Sequence, residues 1–518
     1  MLLILGWSGP ALGSTTTTTT TTSPQSWTVY HGGPDGGGVA SSAVRVNVSS
    51  AAWTSPVLDG ELYGEPLVTG GRVYVATEND TVDALSTTTG RVLWSNHLGT
   101  PVPSGSLPCG DISPTVGITG TPVIDEARRE IFVVADELVD GSPAHQLIGL
   151  STATGKTDLS QNVDPPGSRP AALLQRTGLT LDAGRVVFGY GGNYGDCSTY
   201  RGWVIGVPEE GGAPAEFAVD SAAGESQGAV WMGGAAPVVD SNGNIWVSVG
   251  NGSVYSSSHA YDDSDSVLEL SPSLALEQYF APSSWPSDNA HDLDMSTAPA
   301  LLGDGQVVAA GKARIVYLLN GSSLGGIGGQ QAQLADACGQ DIDGGVAVDG
   351  STVYLPCLSG PVAVQVSASP AALHLLWSAT VGGGPPIVAA GLVWTIGSDG
   401  ILYGLNPSSG GVLEQATIGA PANHFPTPTV AGGLLLAPSA YRIVAFRASS
   451  ANASSTTTTS ASSTSTTARP ASAAPPAPGG GTDPLVAAAV IGGLAVLGAL
   501  SWLLLRRRRE HATRRRRP

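Results

Sequence analysis

The chain has 518 residues, enough to bury a large core in one or two domains. Charged residues are only 12%, while Gly and Pro number 70 and 37. That excludes a charge-rich helical or coiled-coil protein and favours short strands joined by tight turns. The net charge of −18 is unevenly placed: the last thirteen residues carry eight Arg and one Glu, a charge of +7, which leaves −25 for the rest. A body of that sign repels phosphate, so nucleic acid is excluded as its partner.

Residues 1–13 (MLLILGWSGPALG) hold an apolar run and a small-residue stretch without a basic start. They read as a short signal-like segment, truncated by a misassigned start codon. Residues 14–26 are mostly Thr and too polar to fold.

A repeat begins next and spans residues 27–447. Its first full unit runs through Gly64–Val68, Arg72–Thr77 and Thr81–Leu85, a turn at Ser86–Gly90, and Arg91–Trp94. The turn recurs as LSTTTG at 85–90, LSTATG at 150–155 and LNPSSG at 405–410, with a degenerate copy, LSPSL, at 270–274. The first strand recurs as Thr121–Asp125, Ala236–Asp240, Ala298–Leu302, Pro385–Val388 and Thr427–Val430. First strands near residues 64, 121, 178, 236, 298, 344, 385 and 427 make eight units, about 52 residues apart. Four short antiparallel strands per unit predict an all-β, eight-bladed propeller, since radial closure removes exposed sheet edges. Irregular third and fifth units leave a seven-bladed ring as the alternative. The last unit runs short of strands near Arg447. Val44–Ser55 would supply its outer strand and lock the first and last blades together.

Four cysteines allow three pairings. Cys338 and Cys357 bracket two strand-like runs, Gly345–Val348 and Thr352–Leu355, that turn at Asp349-Gly350. Such a hairpin brings its ends together, so Cys338–Cys357 is expected, with Cys109–Cys197 as a longer bridge. A metal site is the rival reading, but no Cys-x-x-Cys spacing exists.

Residues 448–484, rich in Ser, Thr, Ala and Pro, read as a disordered spacer. Residues 485–505 then run 21 positions without a charge, followed at once by Arg506–Arg509. That length suits one membrane crossing, and the Arg cluster marks the cytoplasmic end. Residues 506–518 form a short Arg-rich tail. The expectation is a single-pass cell-membrane protein with its propeller on the extracytoplasmic side.

Ala84–Trp94 (ALSTTTGRVLW) resembles the tryptophan-docking repeat of pyrroloquinoline-quinone (PQQ) propellers, the quinoprotein alcohol dehydrogenase-like family. It departs at Ser86 and Arg91, where the family has Asp and Lys. The copy at 149–159 keeps Thr154, Gly155 and Lys156 but has Leu159 in place of Trp, and Trp27–Gly33 resembles the opening of such chains. The resemblance implies a bacterial source and the propeller fold, and only weakly an activity. Non-enzymatic propellers share the repeat, among them the propeller lipoprotein of outer-membrane protein assembly. The family's alcohol oxidisers hold the quinone over a Trp floor, beneath a disulfide of adjacent cysteines and beside Ca²⁺. This chain has no adjacent cysteines and no Cys-x-x-Cys-His for haem. No quinone ring site is assigned, and its Trp residues read as blade packing.

One acidic region stands out. Asp262, Asp263 and Asp265 lie in YDDSDSV, and Asp288, His291, Asp292 and Asp294 in SDNAHDLDM. Asp262, Asp265, Asp292 and Asp294 are candidate Ca²⁺ ligands if their loops meet on one face, against a plainer reading as solvated loops. Gly224–Gly228 matches Gly-x-Ser-x-Gly, but the following residues read as strand rather than helix, so a nucleophile elbow is declined. Thr154–Thr157 and Leu324–Gly329 are likewise turns rather than nucleotide-binding loops, and His424 reads as a packed residue ahead of a strand.

Two functions follow. The favoured one is a non-catalytic binding or scaffold propeller for an extracytoplasmic protein or polymer. The alternative is a PQQ-dependent oxidoreductase with divergent cofactor ligands, using PQQ and Ca²⁺.

Overall fold

The computed structural model describes residues 26–40 and 45–449. Eight sheets of four or five strands follow one another along the chain, the expected first strands begin them, and a two-stranded sheet (Val102–Pro103 with Thr115–Val116) lies between blades 1 and 2 in sequence. Blade 1 holds strands Leu67–Thr69, Arg72–Ala76, Thr81–Ser86 and Val92–His97. Blade 2 holds Val123–Asp125, Glu130–Val139, Ser142–Ser151 and Thr157–Asn162. Blade 3 runs from Thr180–Asp182 to Ala215–Ala218, blade 4 from Val238–Val239 to Leu276–Ala281, and blade 5 from Ala300–Leu301 to Ala332–Leu334. Blade 6 runs from Ala347–Asp349 to Ala371–Ser378, and blade 7 from Ile387–Ala389 to Val412–Thr417. The count is eight, which removes the seven-bladed alternative. Blades 3 and 5 carry the irregularities noted in the sequence. Leu173–Leu174 adds to blade 3, and Gly326–Ile327, on the way to the last strand of blade 5, pairs instead with the outer strand of blade 4.

Blade 8 is built from both ends of the repeat. Thr429–Ala431, Leu434–Ser439 and Arg442–Ser449 supply three strands. Arg45–Asn47 and Trp53–Thr54 pair antiparallel with the last of these and supply the outer edge. Ring closure thus rests on chain pairing between segments about 400 residues apart.

Burial falls from the axis outwards. Ile245–Val249 and Ser266–Leu270, the middle strands of blade 4, are buried at every position. Strands flanked on both faces by neighbouring blades have no face to give to water, which explains runs without alternation. The outer strand Val412–Thr417 is exposed at all but one position.

A tryptophan joins successive blades. Trp53, on the outer edge of blade 8, donates its Nε1–H to Thr87 O in blade 1 at 2.8 Å. Trp94 of blade 1 donates to Thr152 O of blade 2 at 3.1 Å, and Trp377 of blade 6 to Pro407 O of blade 7 at 2.7 Å. Each indole lies against the last Gly of a recurring turn: Gly90, Gly155 and Gly410. Gly155 has φ +71°, and a Cβ there would run into the Trp94 ring, so glycine is required twice over.

Both expected disulfides are formed, Cys109–Cys197 and Cys338–Cys357. Two readings of local structure change. Ala229–Asp240 is loop and a 3₁₀ turn (Met232–Gly234) before its short strand, not a continuous strand. Trp285–His291, read as loop, is a two-turn helix. Among the described residues no helix is long and apolar enough to cross a membrane, and the expected span at 485–505 lies outside them. The signal-like segment, spacer and Arg-rich tail lie outside them too.

Candidate functional site at the propeller axis

The segment 26–40 crosses the middle of the ring. Trp27 N–H donates to Val68 O of blade 1, and Thr28 O accepts from Ile124 of blade 2. Pro34 O accepts from Val239 of blade 4, Gly37 O from Val348 of blade 6 and Gly38 O from Val388 of blade 7. Val39–Ala40 then adds as a parallel strand to blade 7. A segment that bonds to blades on opposite sides of the ring lies on its axis. It satisfies inner-strand groups that would otherwise face a channel.

Glu65 is the plug's main anchor. It is buried and accepts from Trp27 Nε1 at 2.9 Å, His31 N at 2.7 Å and Thr429 Oγ1 at 3.1 Å. Burial still pushes its carboxyl well above the usual range. His31 is buried and stacked on Tyr30. Burial lowers its imidazole to about 4, so the ring is neutral. Its Nδ1 lies 2.8 Å from Val346 O, a contact that requires the proton on Nδ1.

Near the plug, residues that lead into different blades converge. The Arg176 guanidinium lies 5.7 Å from the Tyr63 ring and 4.7 Å from the Phe425 ring. Phe425 meets Trp231 edge-on at 6.0 Å between centroids. Lys312 Nζ sits 5.2 Å over the Trp231 ring. Side chains from the approaches to blades 1, 3, 4 and 8, with Lys312 of blade 5, thus fill one region. The His424 ring lies tilted against Phe425, and burial, with the Arg176 charge, lowers it to about 4.

The four Ca²⁺ candidates divide into separate settings. Asp292, in the left-handed conformation that ends the 285–291 helix, and buried Asp294 both bind Lys312 Nζ, at 2.9 and 2.6 Å. Burial alone would lower the lysine, but Asp294 and Asp292 outweigh it and hold the ammonium charged. Asp294 also accepts from Asn251 N at 2.6 Å. Asp265 is fully buried with both carboxyl oxygens lacking a donor, and burial, with Asp294 and Asp288 nearby, pushes it well above the usual range. Asp262 lies apart, with Asp220 and Glu225. None of Lys312, Asn251, Arg176, Asp220 and Glu225 was read from sequence as a site residue. Only contacts between distant segments mark them.

Planar PQQ, with several carboxylates, is met only in part by these residues. It needs an open indole face and cations free to meet its charge. Trp231 is partly buried and carries Lys312, already bound by two aspartates, over its ring, while buried Arg176 makes no ion pair among the described residues and its Nη2 has no acceptor. The bridge Cys109–Cys197 borders a small hollow lined by Leu107, Asp111, Ile112, Leu174 and Tyr194 among others, on the side where Tyr63 packs with Ile112 and Leu174.

Comparison with known proteins agrees with the fold. The family described as outer membrane protein assembly factor BamB matches residues 49–195. Among curated proteins no sequence relative is found. Quinohemoprotein alcohol dehydrogenase from Comamonas testosteroni superposes with a TM-score of 0.62 at 16% identity, covering 82% of this chain and 80% of that one. Quinohemoprotein alcohol dehydrogenase ADHIIG from Pseudomonas putida HK5 gives 0.60 at 13% identity with the same coverage. BamB from Moraxella catarrhalis gives 0.50 at 15% identity, covering 78% of this chain and 98% of that one. The chain therefore has a PQQ-like propeller fold. At these identities the likeness speaks for the fold alone, and the neighbours include both enzymes and an assembly factor.

Proposed function

We propose that this chain is a non-catalytic binding propeller, held at a cell membrane by residues 485–505 with its ring on the extracytoplasmic side. The axial packing carries the reading. Beside the Trp231 ring, where a planar cofactor could lie, Phe425 and the aspartate-bound Lys312 already pack. Two further features support it. Both cysteine pairs are oxidised, as suits an exported domain. The acidic body favours a neutral or basic extracytoplasmic protein or polymer as partner. The oxidoreductase alternative needs the axial side chains to move apart before any quinone enters. The test is dye-linked oxidation of primary alcohols by the detergent-solubilised full chain, supplied with PQQ and Ca²⁺. No turnover above a protein-free blank is expected, and sustained turnover would overturn the reading.

A further inference from the structure

The link from blade 3 to blade 4 and the long loop inside blade 4 meet at three carboxylates. Asp220 lies two residues past the outer strand Ala215–Ala218, and Glu225 five residues further on. Asp262 belongs to the sixteen-residue loop between Ile245–Val249 and Ser266–Leu270. One oxygen from each of the three lies within 4.8 Å of the other two. Oxygens bound to one Ca²⁺ at about 2.3–2.6 Å are separated by no more than about 5 Å, so a single ion could touch all three.

Like charges at this distance repel, and the protein supplies little to offset them. Asp220 is only 2% exposed, and its Oδ2 has no hydrogen-bond donor. Glu225 Oε2 is also sealed from water without a partner. Among the described residues none of the three forms an ion pair, and Arg201, whose charge is felt by Asp220 and Glu225, directs its Nη2 to Glu225 O at 3.4 Å. Burial, then Asp262 and Glu225, pushes Asp220 up to about 8. A Cβ at Gly252 would collide with Asp220 Oδ2 and Ser264, so the glycine leaves room for this carboxylate. The two segments are already in register: Asp220 N–H donates to Asp262 O at 3.1 Å and Ala222 N–H to Asp262 Oδ2 at 2.6 Å.

We infer that Asp220, Glu225 and Asp262 form a site for a hard divalent cation of the Ca²⁺ class, which ties the long loop of blade 4 to the blade 3–4 link. Oxygen-only donors favour Ca²⁺ over thiol- and imidazole-seeking metals. The half-exposed Glu225 and Asp262 give the ion a path from solvent, while buried Asp220 closes the inner side. The site is separate from the Asp292–Asp294–Lys312 group, whose charge is already met by the lysine.

The test is calorimetric titration of CaCl₂ into the EDTA-treated, detergent-solubilised full chain, with Asp262→Asn and Asp220→Asn alongside. Wild type should take up one ion saturably. Each substitution should weaken binding about tenfold or more, because ligand charge sets affinity in such sites. Hydrogen exchange at 220–226 and 253–265 should slow on adding Ca²⁺ in wild type and stay unchanged in Asp262→Asn. If Asp220→Asn fails to fold, partly exposed Asp262→Asn decides. No saturable heat in wild type, or equal binding by Asp262→Asn, overturns the assignment.

Discussion

Replacing Trp53 by Ala should open the ring at its seam. Trp53 is 8% exposed, lies on the Gly90 turn and bonds Thr87 O of blade 1, while its backbone pairs with Ala445 of blade 8. It therefore joins three parts: the N-terminal strand, the last blade and the first. A buried indole removes about 150–250 Å² from water. At about 25 cal/mol per Å² that is roughly 4–6 kcal/mol, of which Ala retains a little. A loss of about 3–5 kcal/mol is expected, in line with buried Trp→Ala changes elsewhere. Trp53→Phe keeps the ring contact and loses the hydrogen bond, so it should cost about 1 kcal/mol more than the ring change alone. Trp377→Ala is the matched control, since Trp377 docks on blade 7 in the same way but lies at no seam. Urea unfolding followed by circular dichroism gives the stabilities. Tryptic cleavage at Arg45, whose strand is covered by pairing to Ser449, reports the seam. Trp53→Ala alone should free the Arg45 strand from its pairing and make this exposed site cleavable under native conditions. A loss below about 1 kcal/mol, or equal cleavage in both variants, would refute the closure account.

Other consequences follow from the same contacts. Gly155→Ala should cost about 2–4 kcal/mol, from the left-handed backbone and the displaced Trp94 ring, read as a lowered urea midpoint. Removing Cys109–Cys197 should destabilise by about 4–5 kcal/mol and removing Cys338–Cys357 by about 3 kcal/mol, since loop-closure entropy grows with separations of 88 and 19; paired Cys→Ala variants in urea give the order. Burial raises Glu78 and Asp136 to about 7 and Asp80 to about 9. The folded state then holds more protons than the unfolded one above pH 4, so their stabilising effect is full below that and is lost as pH rises through 7 to 9. The melting temperature should fall from pH 5 to pH 8. Asp80→Asn should reduce that fall while matching wild type at pH 5, because neither Asp80 oxygen has a donor to lose.

The local grammar of the blades was legible in sequence. LSTTTG, LSTATG and LNPSSG each become a turn ending in a left-handed glycine, and Trp53, Trp94 and Trp377 settle on those glycines. Asp349-Gly350 does turn the hairpin whose ends Cys338 and Cys357 join. Those features depend on neighbours in the chain. The axis does not: Tyr63, Arg176, Trp231 and Phe425 meet only once the ring closes, so no spacing marks them. Lys312 was visible as one of two lysines, yet nothing near it in sequence pointed to Asp292 and Asp294 as its partners. The helix Trp285–His291 is too short to show a periodicity, and Pro286 near its start resembles a turn signal. Asp220 and Glu225 lay in a Gly/Ala/Ser stretch whose chemistry emerges only against Asp262.

The account stands on a Trp231 ring occupied by Phe425 and Lys312, and quenching of intrinsic tryptophan fluorescence by PQQ tests that most directly. With Ca²⁺ present, the solubilised chain should show only the linear, unsaturable quenching expected of collisions, unchanged in Trp231→Phe. A saturable one-to-one quench that is lost in Trp231→Phe would contradict it.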